Sequence, residues 1–273
     1  MTRRTVTEVV DGHGRTRPDT VVTEEPLEIR LGWPGNPAHR VAVTMRTPGA
    51  DFELAAGFLL SEGVVGVGEP PRSVGYCVDR QLRPEERFNV VVVTLTGPPR
   101  RAPSHRTTAM SSACGVCGAE SLAEIFTPDQ DPLEVTPQHE AADLPRLTEM
   151  LLDHQPLFAR TGAIHAAGVY TVKGDAVVAR EDVGRHNAVD KVLGARQLGT
   201  VTYDETALLC VSGRIGFDIV SKAVAGRIGT VVAVGGPSSL ALDLADRAGI
   251  TVCGFTRGAR CVVYTHPGRL KIG

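Results

Sequence analysis

Cys114 and Cys117 stand in SSACGVCG (111–118), separated by two small residues and each followed by glycine. Such a segment can move, and thiols with so little volume around them are hard to bury. Residues 119–126 have helical spacing, which places Cys117 near a helix N-terminus, where partial positive charge favours thiolate. Arg100, Arg101, His105 and Arg106 add positive charge close by in the chain. A thiolate is the nucleophile of sulfur exchange. Four readings compete. A zinc knuckle needs a second ligand pair, and no other CxxC or close Cys/His pair is present. A thioredoxin-like redox pair should open a helix directly after a strand, whereas this pair follows GPPRRAPSHR. Two purely structural thiols are a third reading, and a persulfide carrier is the fourth.

The second chemically dense segment is EDVGRHNAVDK. It gathers Glu181, Asp182, Arg185, His186, Asn187, Asp190 and Lys191 around a glycine, at a strand-to-helix turn. Polar helix starts are usually solvated and capped, but open α/β sheets bind ligands at such turns. Arg214 and Arg227 could contact phosphate, helped by backbone N–H groups at helix starts, with Arg227 also readable as a helix-end charge. GGPSSL offers either a phosphate cradle at Gly235 or a plain turn capped by Ser238. His165, among small apolar residues, is either a satisfied core group or a strand-end residue facing the same cleft. Trp33, between turn residues, reads as packing.

The elements that must position these groups are legible from periodicity. PLEIRLG and RVAVTM read as strands around the turn GWPGNPA, and residues 51–62 read as a helix stopped by Gly63. FNVVVVTLT is a further strand. Asp143 should cap a helix over residues 144–154 with Pro145 in its first turn. AAGVYTV and DAVVARE form a hairpin around Lys173-Gly174-Asp175. Thereafter strand and helix alternate to the end of the chain, which predicts an α/β sheet, parallel or mixed, with helices on both faces. The expected organisation is a flexible N-terminal arm over 1–25 and a small α+β domain over 26–105. A mobile loop carrying the cysteines follows over 106–140, then the α/β domain over 141–273.

Composition narrows the classes. The 273 residues, 42% hydrophobic and 22% charged, describe one large or two ordinary globular domains. A net charge of −2 without long runs of one sign argues against bulk binding to nucleic acid. No apolar run approaches the roughly 18 residues that span a bilayer, so no membrane partner is expected. The start of the chain has basic residues but no apolar stretch behind them, unlike a secretory signal. Cys210 and Cys253 sit in apolar, strand-like runs, and without a disulfide framework the expected compartment is a reducing cytoplasm.

From Glu24 onward the blocks EEPLEIR, MRTPGADFELAAGFLLSEG, SACGVCG and TGAIHAAGVY occur in order. AREDVGRHNAVDKVLG, SGRIGFDIVSKA, GGPSSLALDLADRAG and GFTRGARCVVYTHP follow them. In this series the chain resembles the formate dehydrogenase accessory sulfurtransferase family (FdhD), whose members are sulfur carriers. The resemblance implies a cytoplasmic homodimer that receives sulfur from a cysteine desulfurase. It would pass that sulfur to molybdenum bis(molybdopterin guanine dinucleotide), bound as substrate, before insertion into formate dehydrogenase. A non-catalytic chaperone for the cofactor is the alternative. The family's persulfide cysteine matches Cys114, with Cys117 as helper, although the helix-dipole argument favours Cys117. Its cofactor contacts match Gly254, Phe255, Thr256, Arg257, Gly258 and Ala259. Arg185, His186, Asn187 and Arg214 are the further cofactor-binding candidates. Cys261 departs from the larger apolar residue expected there.

The C-terminal half also looks like the cytidine deaminase fold, in which His-Ala-Glu and Pro-Cys-x-x-Cys hold catalytic zinc. The matching positions read His186-Asn187-Ala188 and Ser212-Gly213-Arg214. Both cysteines and the glutamate are missing, so neither deaminase chemistry nor a bound metal is expected.

Overall fold

The computed structural model of the chain describes residues 1–79, 82–101, 131–136 and 138–273. Cys114 and Cys117, with the whole segment 102–130, lie outside the described residues.

The chain opens with an antiparallel ribbon, β1 (Thr2–Val10) and β2 (His13–Val21). This corrects the loose arm expected over 1–25. Its apolar residues are too sparse to mark a core face, but Asp11-Gly12 takes φ +49 and +80, which two-residue hairpin turns require. The strands then pair in unbroken register from Thr2 opposite Val21 to Val10 opposite His13.

β3 (Glu25–Trp33) and β4 (Asn36–Arg46) are the two strands expected around GWPGNPA, with Leu27, Ile29 and Leu31 fully buried along one face. Helix α1 (Asp51–Ser61) follows, then β5 (Ser73–Tyr76) and β6 (Val90–Thr94). These strands form a sheet of order β4-β3-β6-β5, in which β3 and β6 run parallel. Arg46 is buried at the entry to α1. It donates to both Asp51 carboxylate oxygens, at 3.0 and 2.8 Å, which anchors the turn between strand and helix.

When the description resumes at 131, the chain is already packed. Leu133 is buried and its N–H donates to the Ala248 carbonyl at 2.9 Å. Within the stretch 106–140 expected to be a mobile loop, this apolar residue docks against the second half. Short strand β7 (His139–Glu140) leads through a 3-10 turn into α2 (Leu144–Asp153). Asp143 stands at the N-cap, but its side chain caps nothing. The preceding turn already holds its backbone at φ −85, ψ −19, away from the extended geometry that capping needs.

Helix α3 (Pro156–Thr161) precedes the hairpin β8 (His165–Tyr170) and β9 (Ala176–Asp182). Then come α4 (Arg185–Gln197), β10 (Leu208–Val211), α5 (Phe217–Ala225) and β11 (Thr230–Ala233). The chain ends with α6 (Ser239–Ala248), β12 (Thr251–Arg257), β13 (Arg260–Val263) and β14 (Leu270–Lys271), the last paired with β7. The main sheet has the order β13-β12-β11-β10-β8-β9; β10, β11 and β12 are parallel and the others antiparallel to their neighbours. This is the mixed α/β sheet that the alternation predicts. Successive strand residues point to opposite faces. Val232 and Cys253 thus pack with Leu144, Leu147 and Leu151 of α2, while Val231 and Val252 share the opposite core with α4, α5 and α6.

That second core is continuous with the N-terminal sheet, so the two expected domains share one interior. The joint is a helix crossing. A Cβ on Gly57 of α1 would fall inside the Asp190 carbonyl of α4, and one on Gly194 inside the Glu53 carbonyl. Glycine inside a helix costs about 1 kcal/mol relative to alanine, and here the cost is offset by backbone-to-backbone packing.

Candidate functional site

The carboxyl ends of β9, β10, β11 and β12 meet the start of β8 at one edge of the main sheet. Backbone bonds carry the strand order outward into the loops. Ser212 donates to Ala166 at 3.0 Å, Gly235 to Gly213 at 3.1 Å, and Phe255 to Gly235 at 3.1 Å. Four strand spacings separate β12 from β9, an edge about 19 Å long. Open α/β sheets bind extended ligands at such an edge.

At the β9 end, Asp182 is the fixed point. Its carboxylate accepts from Thr47 N–H at 3.1 Å, Gly184 N–H at 2.9 Å and Asn187 Nδ2 at 3.0 Å, and pairs with Lys191 at 2.7 Å. Asn187 also donates to the Met45 carbonyl at 2.7 Å and is 2% exposed. The helix start that brings Arg185 and His186 to the edge therefore turns Asn187 inward, onto β4. Its amide joins the two sheets, and the expected ligand contact is met by protein partners.

Arg185 and His186 face a carboxylate that sequence reading missed. Asp218 Oδ2 lies 3.2 Å from Arg185 Nε and 4.0 Å from His186 Nδ1, and Asp218 is 7% exposed. The Arg185 contact lacks the alignment of a hydrogen bond, because Nε has no bonded partner. Asp218 follows Gly216 in the first turn of α5, and an acid just past a glycine at a strand-to-helix turn was the available signal. Burial, then the Lys222 charge, lowers the His186 pKa; burial, then Arg185, lowers that of His165. Both rings are thereby held neutral. Lys222 itself is bound to Asp190 at 2.7 and 2.8 Å, away from the edge.

His165 does reach the edge. A Cβ on Gly213 would sit 3.4 Å from His165 Nδ1 and 3.9 Å from Arg185 Cδ, so the three residues are neighbours. Arg214, next along, is exposed. At β12, Phe255 has φ +50 and its ring crowds Gly236, where a Cβ would come within 2.6 Å of Cζ. The ring remains 46% exposed. Arg257, Gly258 and Ala259 form the exposed tip between β12 and β13. Thr256 does not join them; it is buried, with Oγ1 3.5 Å from Cys261 Sγ. Alternation along β12 sends Phe255 and Thr256 to opposite sides.

Other candidates resolve into structure. Arg227 binds Glu205 at 3.0 Å and the Asp131 carbonyl at 3.0 Å. Arg100, expected to favour thiolate, pairs instead with Glu69 at 2.5 and 2.8 Å. Ser238 caps α6, accepting from Ala241 N–H at 3.4 Å. Trp33 packs edge-on against His39. Neither Arg214 nor Arg257 has an ion-pair partner among the described residues. The edge thus presents cations, neutral imidazoles, glycine floors and one exposed aromatic ring, a surface suited to an extended anion with a planar base. Among the described residues no group of three His, Cys, Asp or Glu is placed to hold a metal, and no helix is long and apolar enough to cross a membrane.

The chain is similar over nearly its whole length to known proteins. A sulfur carrier protein FdhD of Streptomyces avermitilis is 45% identical over 276 residues, covering 99% of this chain and 95% of that protein. The FdhD of Mycolicibacterium paratuberculosis is 42% identical, covering 98% of both. The crystal structure of a candidate formate dehydrogenase accessory protein from Desulfotalea psychrophila superposes with a TM-score of 0.78. It covers 99% of each chain at 24% identity, a likeness that establishes the fold. The sequence model of the FdhD/NarQ family matches residues 22–271, and with the two relatives this places the chain in the FdhD/NarQ family.

Proposed function

We propose that this chain is a cytoplasmic sulfur carrier serving formate dehydrogenase. Cys114 takes sulfane sulfur from a cysteine desulfurase, and a homodimer delivers it to molybdenum bis(molybdopterin guanine dinucleotide) lying along the sheet edge. In the loading step the Cys114 thiolate attacks the outer sulfur of the donor persulfide. A new S–S bond forms on Cys114, the old one breaks, and the donor cysteine leaves as thiolate. The cofactor is cargo here, and its phosphates, guanines and length suit the row from Arg257 and Phe255 to Arg214 and Arg185. Guanidinium groups hold phosphates through paired hydrogen bonds, and glycine lets backbone approach closely. That row is the observation carrying the reading. The relatives named as sulfur carrier proteins support the chemistry.

A chaperone that only protects the cofactor is the second reading. The cytidine-deaminase-like reading of the C-terminal half belongs to the same proposal. What supports it is that Arg185, the residue before His186, lies beside Gly213, where a Cβ would sit 3.9 Å from Arg185 Cδ.

Cys114→Ala tests the assignment. Persulfide formation and dehydrogenase activation should both stop while GDP, a stand-in for part of the cofactor, still binds by calorimetry. Continued activation would establish the chaperone, and sulfur retained on other cysteines would overturn the relay.

A further inference from the structure

The ribbon of β1 and β2 contributes nothing to either core, and Val9 and Val10 near its tip are 66% and 59% exposed. It is a sheet of two strands, and two strands alone are marginal in water. The two-residue turn at Asp11-Gly12 makes Val10 and His13 a hydrogen-bonded pair, and the ladder alternates from there. Even-numbered residues of β1 therefore bond to β2, while Arg3, Thr5, Thr7 and Val9 turn their N–H and C=O groups outward. The two outer edges differ. On β2, Pro18 has no N–H, its carbonyl accepts from Arg17 at 3.3 Å, and the Thr20 N–H donates to Asp19 at 2.9 Å. On β1 the four outward residues have no backbone partner among the described residues. One edge is blunted and the other is open.

We propose that β1 pairs antiparallel with β1 of a second copy of this chain, joining the two ribbons into a four-stranded sheet about a two-fold axis at Val6. The outward groups pair odd residues with odd, so the strands can shift only by steps of two. Full overlap of Thr2–Val10 sets Arg3 opposite Val9, Thr5 opposite Thr7 and Val6 opposite Val6. It also sets Arg4 of each copy opposite Glu8 of the other. A shift of one step either way breaks both charge pairs, leaving Arg4 against Val6 or Val10 and Glu8 against Thr2 or Val6. Arg4 has no ion-pair partner among the described residues of its own chain, and Arg17 takes one Glu8 oxygen at 3.0 Å, leaving the other for Arg4. About eight main-chain hydrogen bonds form, two for each pair of outward residues. The charge pairs lie in solvent, so they fix register and exclude wrong partners more than they add affinity. This pairing gives the proposed homodimer its contact and rests on that reading for the two-copy state alone.

Sedimentation equilibrium of the full chain should give twice the 28.9 kDa of one chain. Thr7→Pro removes an outward N–H, as Pro18 does on β2, and should return the mass to that of one chain while sparing the β1–β2 ladder. Engineered thiols read the pairing directly, whatever the proline does to the ribbon. Under a mild oxidant Val6→Cys should link to the same residue of the second copy, mapped by peptide mass spectrometry. A non-hydrogen-bonded antiparallel pair holds its Cα atoms about 4.5 Å apart, within disulfide reach. Thr7→Cys should not link to itself, because its counterpart is a diagonal neighbour about 7–8 Å away. Persulfide loading of Cys114, measured on the same samples, reports on the sulfur relay alone. A monomeric parent would overturn the pairing and leave the open edge to an extended strand of another protein. A Thr7→Pro variant that stays dimeric, or a Val6→Cys variant that forms no link, would overturn the ribbon contact while the dimer itself stands. A link through Thr7→Cys would overturn the register.

Discussion

The Lys191 ammonium lies 2.7 Å from the Asp182 carboxylate, with the two side chains 2% and 0% exposed. Lys191 also donates to the carbonyls of Thr47 at 2.9 Å and Glu181 at 3.2 Å. The pair therefore ties the loop after β4 to the turn that presents Arg185. Lys191→Met keeps the volume but leaves a buried carboxylate without its cation, which costs about 3–5 kcal/mol. A urea midpoint that does not fall would contradict this account of the joint.

Gly194→Ala tests the helix crossing. By helix propensity alone alanine should stabilise α4 by about 1 kcal/mol. The Glu53 carbonyl occupies the space a methyl group needs, so the measured change should have the opposite sign, about 1–3 kcal/mol of lost stability. Thermal denaturation distinguishes the two signs.

Arg257→Ala should weaken GDP binding by about 1.5–3 kcal/mol, roughly 10- to 150-fold in Kd, because a guanidinium paired to phosphate is replaced by water. Its exposed position at the hairpin tip leaves the fold untouched. Calorimetry returning the same affinity in the variant would remove Arg257 from the ligand edge.

Cys117→Ala should leave a persulfide detectable on Cys114 while slowing transfer out of the protein. A neighbouring thiol attacks the persulfide and regenerates a thiolate, and the variant lacks that relay partner. Persulfide found by peptide mapping only on Cys117 of the unmodified protein would reverse the order within the pair.

The buried His139 makes stability depend on pH. Burial, then the charges of Arg269 and Lys271, lowers its pKa from 6.5 to about 4, and neither ring nitrogen has a hydrogen-bond partner among the described residues. The folded state thus refuses a proton that the unfolded chain accepts. Stability is unaffected above the unfolded pKa and falls as pH drops from about 6.5 towards 4, by up to about 3 kcal/mol. His139→Phe should flatten that part of the curve in denaturant titrations at successive pH values. An unchanged slope would assign it to other groups.

Among the described residues the longer strands and helices from Glu25 onward were legible in the sequence, because apolar periodicity and turn residues act within a few positions of one another, whereas the short β5, β7, α3 and β14 were not. The dense segment around Arg185 was also legible, whereas the one around Cys114 lies outside the described residues. The ribbon over 2–21 carried its signal only in Asp11-Gly12, since a ribbon with no buried face has little apolar alternation to read. Side-chain destinations were settled elsewhere. Asn187 and Arg185 are two residues apart, yet one turns to β4 and the other to Asp218, and only the packing of α4 against both α1 and the sheet separates them. Thr256 faces Cys261 and Phe255 faces Gly236 for the same kind of reason, the pleat of β12 beside strands distant in sequence. Gly57 and Gly194 read locally as weak points in two helices, and the crossing makes them the places where two backbones touch. Periodicity is a property of neighbours along the chain. Which loop ends share an edge, and which glycines must stay glycine, is set by strand order and close packing, which bring together residues more than a hundred positions apart.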